Sequence, residues 1–183
     1  MERIKTERLI LRTVTLDDTE DIFAYSSEED VGPDAGWKPH ESKAETVEVI
    51  KELFGNKKGI FGIIEKNSSK VIGMVGLVDD PKRSNPHAKM IGYAMGHDYW
   101  GKGYMTETVK AVVRYGFEEL GLSVISAYCY TYNEASRRVL EKNGFEYEGT
   151  LNLCELRFDG AVFANDCYSL SREEWLEFAE QSR

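Results

Sequence analysis

Residues 100–107, WGKGYMTE, place two glycines, a lysine and a threonine just ahead of apolar residues at helical spacing. A turn of that kind feeding a helix presents unpaired backbone N–H groups and the positive end of the helix dipole, which together attract phosphate. Gly101 and Gly103 would let a pyrophosphate approach the main chain with no Cβ in the way, and Lys102 between them adds a positive charge. A tight turn without a ligand uses glycine for the same conformational reason, so this pattern alone names no ligand. A dinucleotide-binding turn does not fit, because Thr106 stands at the third position of G-x-G-x-x-G and the turn is not in the first strand–helix unit. The P-loop spacing G-x-x-x-x-G-K-[ST] is absent.

A second group of candidate residues lies about 30 positions on, in YNEASRRVLEKNGF at 132–145. Asn133 is a natural N-cap for a helix over 133–145, and Asn143-Gly144 is a natural stop. Other chemistry is harder to build. The histidines, His40, His87 and His97, have no metal-ligand spacing, and no metal site is expected. Cys129, Cys154 and Cys167 are odd in number and widely spaced, as expected of reduced thiols in strands. The net charge of −9 argues against nucleic acid as a partner and is compatible with a cationic one.

These residues need elements to position them. Apolar runs predict strands over 7–15, 59–66, 71–80, 88–95 and 121–130, and a long hairpin after 146 that turns at Asp159-Gly160. Helical spacing predicts helices from Asp17 or Asp18 onward, over 41–54 with Ser42 and Glu45 at capping-box spacing, over about 104–119, over 133–145, and at the close in SREEWLEFAE. The stretch 26–40, with two glycines and two prolines, reads as a loop carrying one aromatic, Trp37. That order gives one α+β domain over residues 1–183, with a mixed central sheet of about seven strands flanked by helices. The charged start of the chain does not read as a targeting segment, and no apolar run reaches membrane-span length, so a cytoplasmic protein with no membrane contact is expected.

Taken together, WGKGYMTE and NEASRRVLEKNGF resemble the GCN5-related N-acetyltransferase (GNAT) superfamily, in particular its RimJ/RimL branch of ribosomal-protein N-terminal acetyltransferases. The likeness runs nearly end to end, with TERLILRTVTLDD at the start, GW in the early loop, EG after the second motif and DCYSLSREEW at the close. It implies a GNAT-type fold and acetyl-CoA as co-substrate. The pyrophosphate would lie on Gly101, Lys102, Gly103, Tyr104, Met105 and Thr106, and the pantetheine arm along the backbone of Tyr93, Ala94, Met95 and His97. Asn133 matches a cofactor-contacting Asn. Asp98 departs from the Gln or Arg often found three residues before the first glycine, which leaves phosphate binding to backbone N–H groups.

Many members of the superfamily protonate the departing thiolate with a Tyr where this chain has Leu140. Ser136, at i−4 from Leu140 and matching the Ser of the RimL-like N-x-x-S, is the implied acid, and Glu155 the implied base. Strand alternation puts Glu155 on the opposite face from Cys154 and Leu156. Trp37, Tyr93 and Tyr130 are expected to wall the acceptor, with Tyr130 as a reserve proton donor and Tyr128 in the sheet or cleft wall. Deprotonating a lysine amine of pKa ~10.4 near neutral pH costs roughly 4 kcal/mol, and an α-amine at ~7.7–8 well under 1 kcal/mol. The expected activity is therefore acetylation, by direct attack in a ternary complex, of a protein or peptide N-terminus. The alternatives are a small amine (amino acid, polyamine or antibiotic) or acyl-CoA binding without turnover. The sequence leaves a homodimer open.

Overall fold

The computed structural model describes residues 3–54 and 58–181. Its centre is a sheet in the order β1-β2-β3-β4-β5-β6-β8-β7. The strands are β1 (Arg3–Lys5), β2 (Leu9–Arg12), β3 (Ile60–Glu65), β4 (Val71–Asp79), β5 (Ala88–Met95), β6 (Val124–Tyr130), β7 (Glu146–Leu156) and β8 (Val162–Ser171). Every adjacent pair is antiparallel except β5 and β6. Eight strands stand where about seven were expected. The short edge strand β1 is split from β2 by a turn at Thr6, whose N–H donates to the Leu9 carbonyl at 3.1 Å.

The helices are α1 (Thr19–Ser26), α2 (Val31–Asp34), α3 (Lys43–Phe54), α4 (Tyr104–Glu118), α5 (Glu134–Glu141) and α6 (Arg172–Gln181). The stretch read as a loop thus contains one helical turn, α2. Trp37 packs on it so closely that a Cβ at Gly32 would lie 2.8 Å from the indole. At the start of α3, Ser42 Oγ accepts the Glu45 N–H at 3.2 Å, but the Glu45 carboxylate returns to the N–H of Glu41, one residue before the expected partner.

Two apolar layers cover the sheet. On one face, α4 lays Val109, Val112, Val113 and Phe117 against Leu9, Leu11, Ile63, Val75 and Ile125, and α5 adds Leu140, all nearly or fully buried. On the other, Ile22 and Tyr25 of α1 and Ile50 and Phe54 of α3 pack on Ile60, Ile64 and Ala94. Alternation along β5 therefore sends Ile91, Tyr93 and Met95 towards α4 and α5, and Ala94 towards the α1–α3 side.

The feature that positions a site is where β5 and β6 part. Their parallel pairing runs only from Ala88/Val124 to Met90/Ser126. Beyond it β5 stays paired with β4 as far as Met95, and β6 with β8 as far as Tyr130. The two strands diverge, and the inner edge of β5 from Ile91 onward has no strand partner among the described residues. Such backbone groups need a partner from elsewhere.

Candidate active site

A cavity of about 660 Å³ occupies this wedge and opens to both faces of the sheet. The β5–α4 turn forms one end. Gly101 and Gly103 have φ of 71° and 77°, in the left-handed region that glycine adopts at least cost. A Cβ on Gly101 would meet nothing within 4 Å, so the turn faces open space, and Gly103 is the N-cap of α4. The turn is clamped from behind: the Arg8 guanidinium donates to the Lys102 carbonyl at 2.8 Å and to Glu107 at 2.7 Å. Glu107 also accepts from the Thr6 hydroxyl and the Arg8 N–H, so it ties the start of the chain to the first turn of α4.

Met95, Gly101, Gly103, Tyr104, Met105, Thr106, Asn133 and Ser136 all line the cavity. His97 and Lys102 do not. The His97 N–H donates to Glu28 at 2.8 Å, its ring pairs with Asp30, and Lys102 reaches over Tyr99. Asp98 also lies outside the lining, as does Trp37. Arg138 on α5 and Lys142 at its C-cap, one turn on, do line it and were not singled out from the sequence. Their i, i+4 spacing beside Asn133 was the available signal.

On the α4–α5 face, Ser136 and Tyr93 form a hydroxyl pair at 2.8 Å. Ser136 is held in place because its N–H donates to the Asn133 side chain, the N-cap of α5, at 2.9 Å. Burial raises the Tyr93 phenol, which keeps it protonated. The residue expected on the acceptor wall thus stands beside the implied acid. Leu140 is fully buried in the core.

On the opposite face lies a different group. The Tyr130 hydroxyl donates to Glu155 Oε1 and the Asn165 amide donates to Oε2, both at 2.7 Å. Burial and the bond to Glu155 raise the Tyr130 phenol. Asn165 is 3% exposed, and its Oδ1 has no hydrogen-bond donor among the described residues. Gly36, with φ of 86°, covers the pair so closely that a Cβ there would lie 3.0 Å from Glu155 Oε1. Glu155 does face away from its neighbours, but in an unexpected sense: it points inward, while Leu156 is 73% exposed. Residues 151–155 bulge against β8, and Leu153 takes a φ of 50°. Gly36 and Asn165 were missed because neither has a local motif. Only the fold brings residues 36, 130, 155 and 165 together.

The geometry therefore places a phosphate-sized turn and a hydroxyl pair on one face of a split sheet, and a hydrogen-bonded carboxylate on the other. The family model described as "Acetyltransferase (GNAT) domain" matches residues 8–146. This chain belongs to the GNAT acetyltransferase family. It is 36% identical over 174 residues, 91% of this chain and 95% of the other, to "Uncharacterized N-acetyltransferase YoaA" of Bacillus subtilis (strain 168). It is 28% identical to the "[Ribosomal protein uS5]-alanine N-acetyltransferase" of Escherichia coli (strain K12), across 80% of this chain and 79% of that one. A crystal structure of a GNAT-family acetyltransferase from Bacillus anthracis superposes with a TM-score of 0.83 at 28% identity, covering 94% of this chain and 99% of that one. The protein is an N-acetyltransferase, and enzymes of this family use acetyl-CoA.

Proposed function

We propose that the protein transfers the acetyl group of acetyl-CoA to the α-amine of a peptide or protein N-terminus. The supporting observation is the single cavity that joins the Gly101–Gly103 turn to Glu155 through the split between β5 and β6. The residues fit an acyl-CoA: the turn offers N–H groups in front of open space, and the unpaired edge of β5 offers main-chain partners to an amide-containing arm. When bound, acetyl-CoA supplies an activated thioester. Arg138 and Lys142 add positive charge for its phosphates, and Met95 and Tyr104 shape its channel.

The remaining roles fall to the two faces. Ser136, backed by the Tyr93 hydroxyl, holds a proton at the cofactor wall, and Glu155 takes up the proton that an attacking amine must lose. Both oxygens of Glu155 are already engaged by donors. A site with no stronger base suits an amine of pKa ~7.7–8 better than a lysine side chain of ~10.4. The relative acting on a ribosomal-protein alanine fits the same reading. A small amine is the second reading, supported by a cavity of ≈ 660 Å³, within the range of small-molecule sites. Three free cysteines suit the reducing cytoplasm as its location.

Thiol release from acetyl-CoA, measured against peptides of varied N-terminus and a panel of small amines, tests the proposal. Peptide turnover that falls about 100-fold in Glu155→Ala and about 10-fold in Ser136→Ala is expected. Turnover confined to small amines would transfer the function to the second reading.

A further inference from the structure

The acceptor face of the cavity carries a cation that the acetyl-transfer roles leave unused. After β4, residues 80–83 fold over the end of the wedge around Asp80, which is 8% exposed. Its carboxylate accepts from the hydroxyls of Ser126 and Tyr128, from the Arg83 guanidinium and from the backbone N–H of Lys82. Two cations therefore sit side by side with different fates. Arg83 is consumed, because it pairs with Asp80 and Glu148 and donates to the Tyr128 hydroxyl at 2.7 Å. Lys82 has no carboxylate partner among the described residues. Its ammonium rests over the Tyr128 ring, 3.9 Å from the centroid, and the exposed Lys82 lines both the main cavity and a second one of about 470 Å³. A cation–π contact of this kind orients the ammonium without neutralising it.

This charge lies on the same face of the sheet as Glu155. Tyr128 and Tyr130 are two residues apart on β6 and pair with Cys167 and Asn165 of β8, so they share the acceptor face. A cation with no carboxylate partner among the described residues thus stands at Tyr128, and the proposed proton acceptor, with the unpartnered Asn165 Oδ1 beside it, stands at Tyr130.

Resting on the proposal that Glu155 receives an α-amine, we infer that the accepted molecule also carries a carboxylate, bound by Lys82. The inferred acceptor is an anionic amine, in spite of the net charge of −9 on the whole chain, because the contact that would recognise it is local to Lys82. Two sources have this chemistry: an acidic side chain at the second residue of a peptide, and the C-terminal carboxylate of a dipeptide or similar small molecule.

Acetylation kinetics with matched acceptors test the inference and separate the sources. One pair is Ala-Glu and Ala-Gln peptides with blocked C-termini, and the other is Ala-Ala and its C-terminal amide. The wild type should favour the carboxylate member of at least one pair about 10-fold in kcat/KM. In Lys82→Gln that preference should fall to within about twofold, while the neutral acceptors and the KM for acetyl-CoA stay unchanged and Lys82→Arg retains the preference. Equal kcat/KM within both pairs, or a preference that survives in Lys82→Gln, overturns the inference and leaves acetyl transfer to α-amines intact. If no acceptor turns over, calorimetric titration of the same four compounds into CoA-loaded protein decides. Tighter binding of carboxylates that depends on Lys82 supports the anionic subsite and counts against the α-amine reading, and binding indifferent to Lys82 sinks both.

Discussion

On the β5–α4 side of the cavity the groups that would hold a ligand are mostly main-chain groups, namely the Gly101–Gly103 turn, the N-terminus of α4 and the unpaired edge of β5. On the β6–β8 side they are side chains from four separate stretches, Lys82, Tyr130, Glu155 and Asn165, with the backbone of Gly36 packed over Glu155. A main-chain site depends on backbone conformation, which a few consecutive residues dictate, and it can receive the same cofactor whatever the second substrate. A site of scattered side chains can change its ligand by single substitutions without disturbing the sheet. On the proposed function, donor binding falls to the first half and acceptor choice to the second.

Substitutions that injure one half and spare the other sharpen this division, and any that injure both equally would break it. The largest effect is expected from Glu155→Gln, which keeps the shape and removes the proposed proton acceptor. Steady-state kinetics should show kcat lower by about 10²–10³-fold, with the KM for acetyl-CoA within twofold. A smaller effect is expected from Gly103→Val, which forces a β-branched residue to φ of 77° at the N-cap of α4. At about 1–2 kcal/mol of backbone strain, the KM for acetyl-CoA should rise about 10-fold and the acceptor KM should not move.

Gly36→Ala is the mirror experiment. Its Cβ would stand 3.0 Å from Glu155 Oε1 at a φ of 86°, so the acceptor KM should rise about fivefold with acetyl-CoA binding unaffected. A rise in both constants would mean that the halves are mechanically coupled.

The smallest effect concerns the clamp behind the turn. Burial pushes the Glu107 carboxyl up, but hydrogen bonds from Thr6, the Arg8 N–H and the Arg8 guanidinium prevail and hold it below the ordinary 4.5. A carboxylate lowered in the folded state contributes stability that is fully present above 4.5 and is lost as pH falls through the folded value. Glu107→Gln should therefore cost about 1 kcal/mol in urea unfolding at neutral pH, discounted because Arg8 is partly exposed. The gap from wild type should close below the ordinary carboxylate range. A gap that stays constant with pH would assign the cost to lost packing.

Local signals made most of the fold readable. The strand over 88–95, the helix from Tyr104 and the turn at Asp159-Gly160 follow from alternation, 3.6-residue spacing and turn chemistry acting over a few residues. The departures have equally local causes. The extra edge strand Arg3–Lys5 lies ahead of the first apolar run, across a turn at Thr6, and the helical turn at Val31–Asp34 is too short for periodicity to reveal. In the site, the glycines and Asn133 could be read because each answers to its own backbone. Tyr93 could not be assigned a face, since a tyrosine in a strand buried on both sides has no polar side to choose. Its pairing with Ser136 comes from the packing of α5 on β5.

By itself, then, the sequence determined the order of the elements, the phosphate-sized turn and the caps that orient α4 and α5, because these depend on torsion angles and hydrogen bonds among neighbours in the chain. Tertiary structure alone decided that β5 and β6 part after Met90, that Glu155 turns inward with Tyr130 and Asn165 on its oxygens, and that Lys82 has no carboxylate partner among the described residues while Arg83 is neutralised. Each of these depends on contacts between residues tens of positions apart, and a carboxylate or an ammonium looks the same in sequence whether its partner is a protein group or a substrate.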